Sequence, residues 1–388
     1  MGMWIGRNRK ARVTYGFDDI ALVPGDLTIN PNEVDTTFQI GKHKIKVPIL
    51  ASAMDGVVDV KFAIAMGKLG GVAVLNLEGV QTRYKDPSEI LDKIASATKE
   101  EATHLTQEIY RKEDVKEALV AQRVKEIKAA GVLCAVSAIP QRAERFGAIA
   151  QEAGADIFVV QSTVSTVRHI STQYPTLDIA AFCKAMKIPV IIGNTVTYSA
   201  TLELMEAGPA AILVGVGPGA ACTTRGVLGL GVPQVTATVD CAAARDHYFK
   251  KTGRYVPIIT DGGMNKGGDI CKAFACGADA VMIGSAFART KEAPGRGYHW
   301  GMATPHANLP RGTRVRVGVT GTVEQILFGP AELDDGSQNL MGALMTCMGS
   351  VGKKNIREFQ ETDIIIAPAI KTEGKIFQTV QGVGMGSK

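Results

Sequence analysis

Residues 215–225 read GVGPGAACTTR and follow the apolar run Ala211 to Val214, so a glycine-rich loop delivers one cysteine, Cys222, to the end of an expected strand. Gly215, Gly217 and Gly219 open backbone conformations closed to other residues and let a ligand or ion approach the chain, while Pro218 stiffens the bend. Thr223, Thr224 and Arg225 bring donors and a cation beside the sulfur, a setting that favours thiolate, the reactive form. A free cysteine is more often a small buried hydrophobe, so the surroundings of this one decide its reading.

Those surroundings suit an anion. DGGMNKGGD at 261–269 follows a β-branched run and precedes the helical CKAFACG, so backbone amides and a helix N-terminus can hold phosphate. IGS at 283–285 closes the next run, as in barrels whose last two βα loops bind phosphate. Asp261 can accept hydrogen bonds from ribose hydroxyls, or serve as a helix cap. Asn194 can orient a substrate amide or the cysteine loop, or sit in an ordinary turn. Ser162 and Thr163 can contact a cofactor ribose or amide, with plain turn formation as the alternative. His299 and His306 have no metal-ligand spacing, and Arg311 in LPRG reads first as a solvated arginine.

The elements that must position these residues are short β-branched runs separated by helical stretches. The runs are Val47 to Leu50, Val72 to Leu75, Val132 to Val136, Ile157 to Val160, Val190 to Ile192, Ile212 to Val214, Ile258 to Thr260 and Ala280 to Ile283. Their βα alternation predicts an α/β fold, a (β/α)8 TIM barrel forming a single catalytic domain over 1–388, with its chemistry where strands end. Ser52 and Met54, Asn194, 215–225, Asp261 to Gly268, and Gly284 with Ser285 all fall there. Residues 79–130 are charged and helix-prone, and read as a helical insertion plus a barrel helix forming a solvated cover. Residues 290–388 are punctuated by Gly and Pro, with few apolar periodicities and a Gly-rich tail. They read as a mobile lid, with the flap at 290–325.

Composition narrows the class. The 388 residues are 46% hydrophobic and 21% charged, with 43 glycines against 6% aromatics, as expected of many tight βα turns. A net charge of +5 without any long Lys/Arg block argues against nucleic acid as a partner. The 7 cysteines show no CxxC or Cys/His ligand spacing, which argues against a disulfide scaffold or structural zinc. No apolar run approaches about 18 residues, so a soluble protein of a reducing compartment, the cytoplasm, is expected, with no membrane partner.

Four segments together resemble the IMP dehydrogenase family. They are YGFDDIALVPGDLTINPNEVDT with PILASAMD, GVGPGAACTTRGVLGLGVPQVTA, DGGMNKGGDICKAFACGADAVMIGSAFARTKEAPG, and WGMA. The resemblance implies NAD-dependent oxidation of inosine 5′-monophosphate (IMP) to xanthosine 5′-monophosphate, with Cys222 attacking purine C2 and water hydrolysing the covalent intermediate. Thiolate addition to an electron-poor ring carbon fits that sequence of steps. Carried over, Asp261 holds the ribose hydroxyls, Gly263, Gly284 and Ser285 the phosphate, Ser52 and Met54 the base, and Met302 and Ala303 the hypoxanthine through their backbones. Thr224 sits near the intermediate. Ser162, Thr163, Asn194 and Gly215 meet the cofactor. The carbonyls of Gly217, Gly219 and Cys222 help ligate a monovalent cation, usually K⁺. Further ligands from a neighbour's QGVGM tail imply a homo-oligomer, a tetramer or octamer.

The chain departs from the family pattern in several places. The tandem CBS regulatory module is replaced by the charged segment 79–130, which marks a short branch. Ala220 replaces a phosphate-binding serine, and His299 stands at a phosphate-contacting tyrosine. Gln161 replaces the aspartate that meets the NAD⁺ ribose, Leu213 an arginine, and Val317 a group on the purine edge. Arg311, without the usual tyrosine, becomes the candidate water-activating base. Three other readings stay open. GMP reductase shares the cysteine loop but uses NADPH, a non-catalytic purine-nucleotide sensor would bind without turnover, and an FMN-dependent barrel oxidoreductase would leave Cys222 idle.

Overall fold

The computed structural model describes residues 2–302, 313–367 and 373–386. Eight parallel strands close into a barrel: β1 (Ile49–Ala51), β2 (Val72–Asn76), β3 (Ala135–Ala138), β4 (Ile157–Gln161), β5 (Val190–Thr195), β6 (Ala211–Val214), β7 (Ile258–Asp261) and β8 (Ala280–Ile283). Each pairs with its neighbour in chain order, and β8 pairs with β1 to complete the ring. The expected TIM barrel is therefore present.

Alternation along each strand divides the apolar residues between two cores. Val72 and Val74 point into the barrel lumen with Leu50, Val159, Leu213 and Met282, whereas Ala73 and Leu75 face the helices. The hairpin Phe38–Ile40 with His43–Ile45 adds Phe38, Ile40 and Ile45 to the lumen core. Its turn residue Gly41 has φ +55°, and a Cβ there would come within 2.6 Å of the Pro189 ring just before β5. This hairpin closes the end of the barrel where strands begin, leaving the other end for chemistry.

The surrounding helices are α1 (Val60–Lys68), α2 (Glu117–Ala129), α3 (Pro140–Glu152), α4 (Ile179–Ala185), α5 (Tyr198–Glu206), α6 (Gln234–Thr252), α7 (Gly267–Ala275) and α8 (Leu340–Ser350). Asp59, Thr197 and Asn339 cap α1, α5 and α8 by accepting from backbone amides of the first turn. On α6, the buried Arg245 donates to Asp279 (2.8 Å) and to the Gly277 carbonyl (2.6 Å).

Three expectations need correction. β3 begins at Ala135 rather than Val132, because the Cys134 amide turns to the Asp156 carboxylate at 2.8 Å instead of joining the ladder. Residues 79–130 are more than a solvated cover. The insertion helices Ser88–Ser96 and Lys99–Lys112 bury Leu91, Ile94, Ile109 and Tyr110 with Val80 and Trp300 in a small separate core. The reading of 290–388 as a lid fails over much of its length. Val323, Ile326 and Leu327 of the helix Val323–Phe328, and Leu340, Met341, Leu344 and Met348 of α8, belong to the main core. Their spacing is helical, but glycines between them hid the period. Within 290–325, Tyr298–Trp300 pairs antiparallel with Arg314–Arg316, and both His299 and Trp300 are buried. No helix among the described residues is long and apolar enough to cross a membrane.

Candidate active site

At the ends of seven of the eight strands the apolar run gives way to polar residues: Ser52 after β1, Asn76, Ser137, Gln161, Asn194 and Asp261 on their strands, and Ser285 after β8, while β6 runs into the glycine loop. Polar groups confined to one rim of an otherwise apolar barrel need a ligand or each other, since a buried polar group without a partner is costly.

Of the seven cysteines, Cys222 alone is exposed; the others are buried or half-buried. Burial pushes the Cys134, Cys241 and Cys276 thiols up to about 12 and Cys183 to about 11, which makes them poor nucleophiles. The Cys222 amide donates to the Gly219 carbonyl at 3.0 Å, closing a tight turn that lifts the sulfur outward. Its thiol lies 3.2 Å from Oγ1 of the buried Thr224. Arg225 does not accompany them as expected. Its side chain passes between Gly217 and Gly231, where a Cβ on either would meet it within 2.7 Å, and its guanidinium donates to the Val232 carbonyl at 3.0 Å. It pins the two ends of the loop together.

Gly215, with φ +149°, allows the closest approach in the site, for a Cβ there would lie 2.4 Å from the Asp261 carbonyl oxygen. The buried Gln234 amide ties the same two strand ends by donating to the Val214 carbonyl (2.9 Å) and the Asp261 carbonyl (2.8 Å). A polar residue at the head of α6 gave no sign of this role in the sequence beyond its place in GVPQ.

The Asp261 carboxylate accepts from the Asn194 amide at 2.8 Å and the Gln161 amide at 3.1 Å. Gln161 also donates to the Asn194 Oδ1 at 3.2 Å. Desolvation pushes Asp261 up to about 6 despite the Asn194 bond. Asp261 is thus no helix cap: α7 starts later, and Asp269 accepts from the Lys266 amide at its head. Asn194 and Gly215, expected at a cofactor, both meet Asp261, Asn194 through its amide and Gly215 against the Asp261 carbonyl. Ser162 Oγ pairs with Ser165 Oγ at 2.9 Å, and Thr163 beside it is half-buried.

The expected phosphate residues form one wall. A Cβ on Gly284 would lie 2.9 Å from the Met54 sulfur, and the Ser52 amide donates to Ile283 at 3.0 Å, so β1 and β8 bring Ser52, Met54 and Gly284 together. Gly262 and Gly263, both at φ +81°, pack under Pro218 of the cysteine loop. Ser285 Oγ lies 3.1 Å from His299 Nε2, and both side chains are buried. Burial pushes the imidazole down to about 4, and its Nδ1 has no partner among the described residues. Sequence reasoning missed the support behind this wall. The Tyr110 hydroxyl of the insertion bonds Asp55, accepts from Trp300 Nε1 at 3.0 Å and lies 3.5 Å from the Met302 sulfur. Arg314 caps the helix Ser88–Ser96 through the Ala95 (3.0 Å) and Ala97 (2.7 Å) carbonyls. Ala303, His306 and Arg311 lie outside the described residues.

No group of three or more His, Cys, Asp or Glu among the described residues converges on a metal site. Of the expected potassium ligands Gly217, Gly219 and Cys222, the Gly219 carbonyl accepts the Cys222 amide and keeps its second lone pair for a cation, while the Arg225 side chain flanks Gly217.

Fold and rim together define a (β/α)8-barrel enzyme with its chemistry at the strand C-termini. Residues 14–375 match the IMP dehydrogenase / GMP reductase domain, and the chain belongs to that family of oxidoreductases. An uncharacterized oxidoreductase of Mycolicibacterium smegmatis is 36% identical over 93% of this chain and 99% of its own length. Inosine-5′-monophosphate dehydrogenase of Cryptosporidium parvum is 32% identical over 88% of this chain and 89% of its own. The crystal structure of an IMP dehydrogenase/GMP reductase-like protein from Corynebacterium glutamicum superposes with a TM-score of 0.88 at 34% identity, covering 94% of this chain and 97% of that one.

Proposed function

We propose that this chain oxidises IMP to xanthosine 5′-monophosphate with NAD⁺, through a thioether-type adduct of Cys222 at purine C2, in guanine nucleotide synthesis. The observation that carries the reading is the placement of the one exposed thiol, hydrogen-bonded to Thr224, on the same rim as the Asp261 carboxylate and the Ser285–His299 pair. In this reading the nucleotide is held by its two polar ends. Gly263, Gly284, Ser285 and His299 take the phosphate, and Asp261, oriented by Asn194 and Gln161, takes the ribose hydroxyls. Ser52, Met54 and Met302, with Ala303, frame the base. The Cys222 thiol donates to Thr224 Oγ1, which orients the sulfur; its proton passes to solvent and the thiolate then adds to carbon. Bound NAD⁺ would supply the hydride acceptor, and the neutral hydroxyl and amide groups of Ser162 and Thr163 suit its ribose and carboxamide. Arg311 is the candidate base for the hydrolytic step, and the carbonyls of Gly217, Gly219 and Cys222 are the candidate potassium ligands, completed by a neighbouring copy.

A second reading, reductive deamination of GMP with NADPH, is favoured by Gln161. Its neutral amide is turned toward Asp261, so no carboxylate at that position repels a 2′-phosphate. Incubation with IMP plus NAD⁺, and separately with GMP plus NADPH, distinguishes the two by nicotinamide absorbance. Turnover of only the second pair overturns the first reading. Cys222→Ala should abolish either activity and the covalent adduct in intact-mass spectra while leaving nucleotide binding within a few-fold.

We also propose that the chain works as a homo-oligomer. Ile376, Phe377 and Val380 of the helix Ile376–Gln381 are 64%, 73% and 80% exposed, an apolar stripe that a second copy would cover. A monomer by light scattering would refute this.

A further inference from the structure

Away from the rim, α7 and α8 pack side by side through small residues. A Cβ on Gly267 of α7 would come within 2.4 Å of the Ala343 Cβ on α8. One turn further along each helix stand Cys271 and Cys347, so the two helices run in parallel register. The two thiols are near enough to influence each other's ionisation, and the Cys271 thiol donates to the Ala343 carbonyl oxygen at 3.6 Å. Both cysteines line an open cavity of about 650 Å³, with Lys272 and Thr346 on its wall. Cys271 is buried and Cys347 half-buried.

We propose that Cys271 and Cys347 form an oxidation site, a dithiol that a hydroperoxide or a low-molecular-weight disulfide converts into a bridge between α7 and α8. The environment divides the roles. The neighbouring Cys271 thiol holds the Cys347 sulfur below the usual thiol range, whereas Cys347 and burial together push Cys271 well up. Cys347, the more accessible of the two, therefore attacks first. With a hydroperoxide, the Cys347 thiolate takes the terminal oxygen, the O–O bond breaks, and the alcohol or water leaves with a proton. The resulting sulfenic acid is displaced by the Cys271 sulfur, which forms the S–S bond and expels water. Overall two thiols lose two hydrogens and one hydroperoxide is reduced to an alcohol plus water. A small disulfide reaches the same product by two exchanges, releasing two small thiols.

The bridge would tie the loop at 261–266 to α8, since α7 follows that loop directly and Lys272 of α7 donates to the Phe17 carbonyl at 2.8 Å. None of this depends on which nucleotide the rim binds.

The test uses the full chain as Cys222→Ala, so that the exposed thiol does not consume oxidant, treated with one equivalent of hydrogen peroxide or with oxidised glutathione and mapped by peptide mass spectrometry. The expected product is a dithiothreitol-sensitive peptide joining Cys271 to Cys347, with a melting midpoint raised by roughly 5 °C through loop constraint. Cys347→Ser should abolish the cross-link. Sulfinic or sulfonic acid on Cys347 beside an unmodified Cys271, or two thiols left free while other cysteines react, overturns the proposal; the peptide map of the Cys222→Ala chain with both Cys271 and Cys347 intact decides it even if the serine variant fails to fold.

Discussion

Asp261→Asn should make the protein more stable and a poorer binder of its nucleotide. The carboxylate is raised from 3.8 to about 6 chiefly by desolvation, so the folded protein carries a charge it would shed more readily than the unfolded chain. A carboxyl group that keeps its proton to a pH roughly two higher than usual has an ionised form disfavoured by on the order of 3 kcal/mol. Residual solvent at the half-buried carboxylate reduces this to on the order of 1–2 kcal/mol. Near pH 4 and below, the folded protein holds the proton and pays nothing. As pH rises from about 4 to about 6, the unfolded chain ionises first, so stability falls through that window and stays low above it. The asparagine variant keeps the oxygen that accepts from Asn194 and Gln161 and has no such loss. Urea unfolding should show the variant ahead of wild type at about pH 8, with the gap shrinking by about pH 5. Calorimetry with IMP should show affinity reduced ten- to hundredfold or more, since a hydrogen bond to a charged group is worth about 1.5–3 kcal/mol. A variant no more stable at about pH 8, or a gap independent of pH, would refute the desolvated-carboxylate account.

Tyr110→Phe deprives Asp55 and Trp300 of a shared partner and should cost about 1.5–3 kcal/mol, raising KM for the nucleotide more than it lowers kcat; an unchanged melting midpoint would sink this. His299, held near 4 against an ordinary 6.5, should lose stability for the fold as pH falls from about 6.5 toward 4, because the unfolded chain takes the proton first. A phosphate dianion held by Ser285 beside the imidazole should reverse that preference. Calorimetry near pH 6 in two buffers of different ionisation enthalpy should then report proton uptake, which His299→Gln abolishes. Arg245→Ala leaves Asp279 buried without its guanidinium and should cost about 3–5 kcal/mol, read by urea unfolding; a loss below about 1 kcal/mol would contradict the buried pair.

The barrel was legible because a parallel strand buried on both faces leaves a dense signature, as at Val72 to Leu75 and Ile157 to Val160. Strand-end polar residues such as Ser52, Asn194 and Asp261 could be placed on one rim for the same reason. What escaped was partnership at a distance. Gln161 and Asn194 converge on Asp261 from two other strands, and no local pattern announces such a meeting. Tyr110 looked like one residue of a charged helix, yet its hydroxyl is the joint between the insertion and Trp300. The α8 core residues were obscured because Gly342 and Gly349 lower the apparent helix signal while letting the helix press close to its neighbours. Arg225 shows the opposite error, since adjacency in sequence suggested a place beside the sulfur that two glycines divert.

The contact between Gly215 and the Asp261 carbonyl has a consequence for selectivity. With the loop carrying Cys222 pressed against the strand that carries Asp261, the span between carboxylate and sulfur is fixed, and under the proposed function it becomes a ruler from sugar anchor to nucleophile. A ring carbon lying at that distance from the ribose is presented for attack whatever decorates the far edge of the base. Discrimination between purines then falls on which atom departs from that carbon, hydride or amine, rather than on how tightly the base itself is embraced.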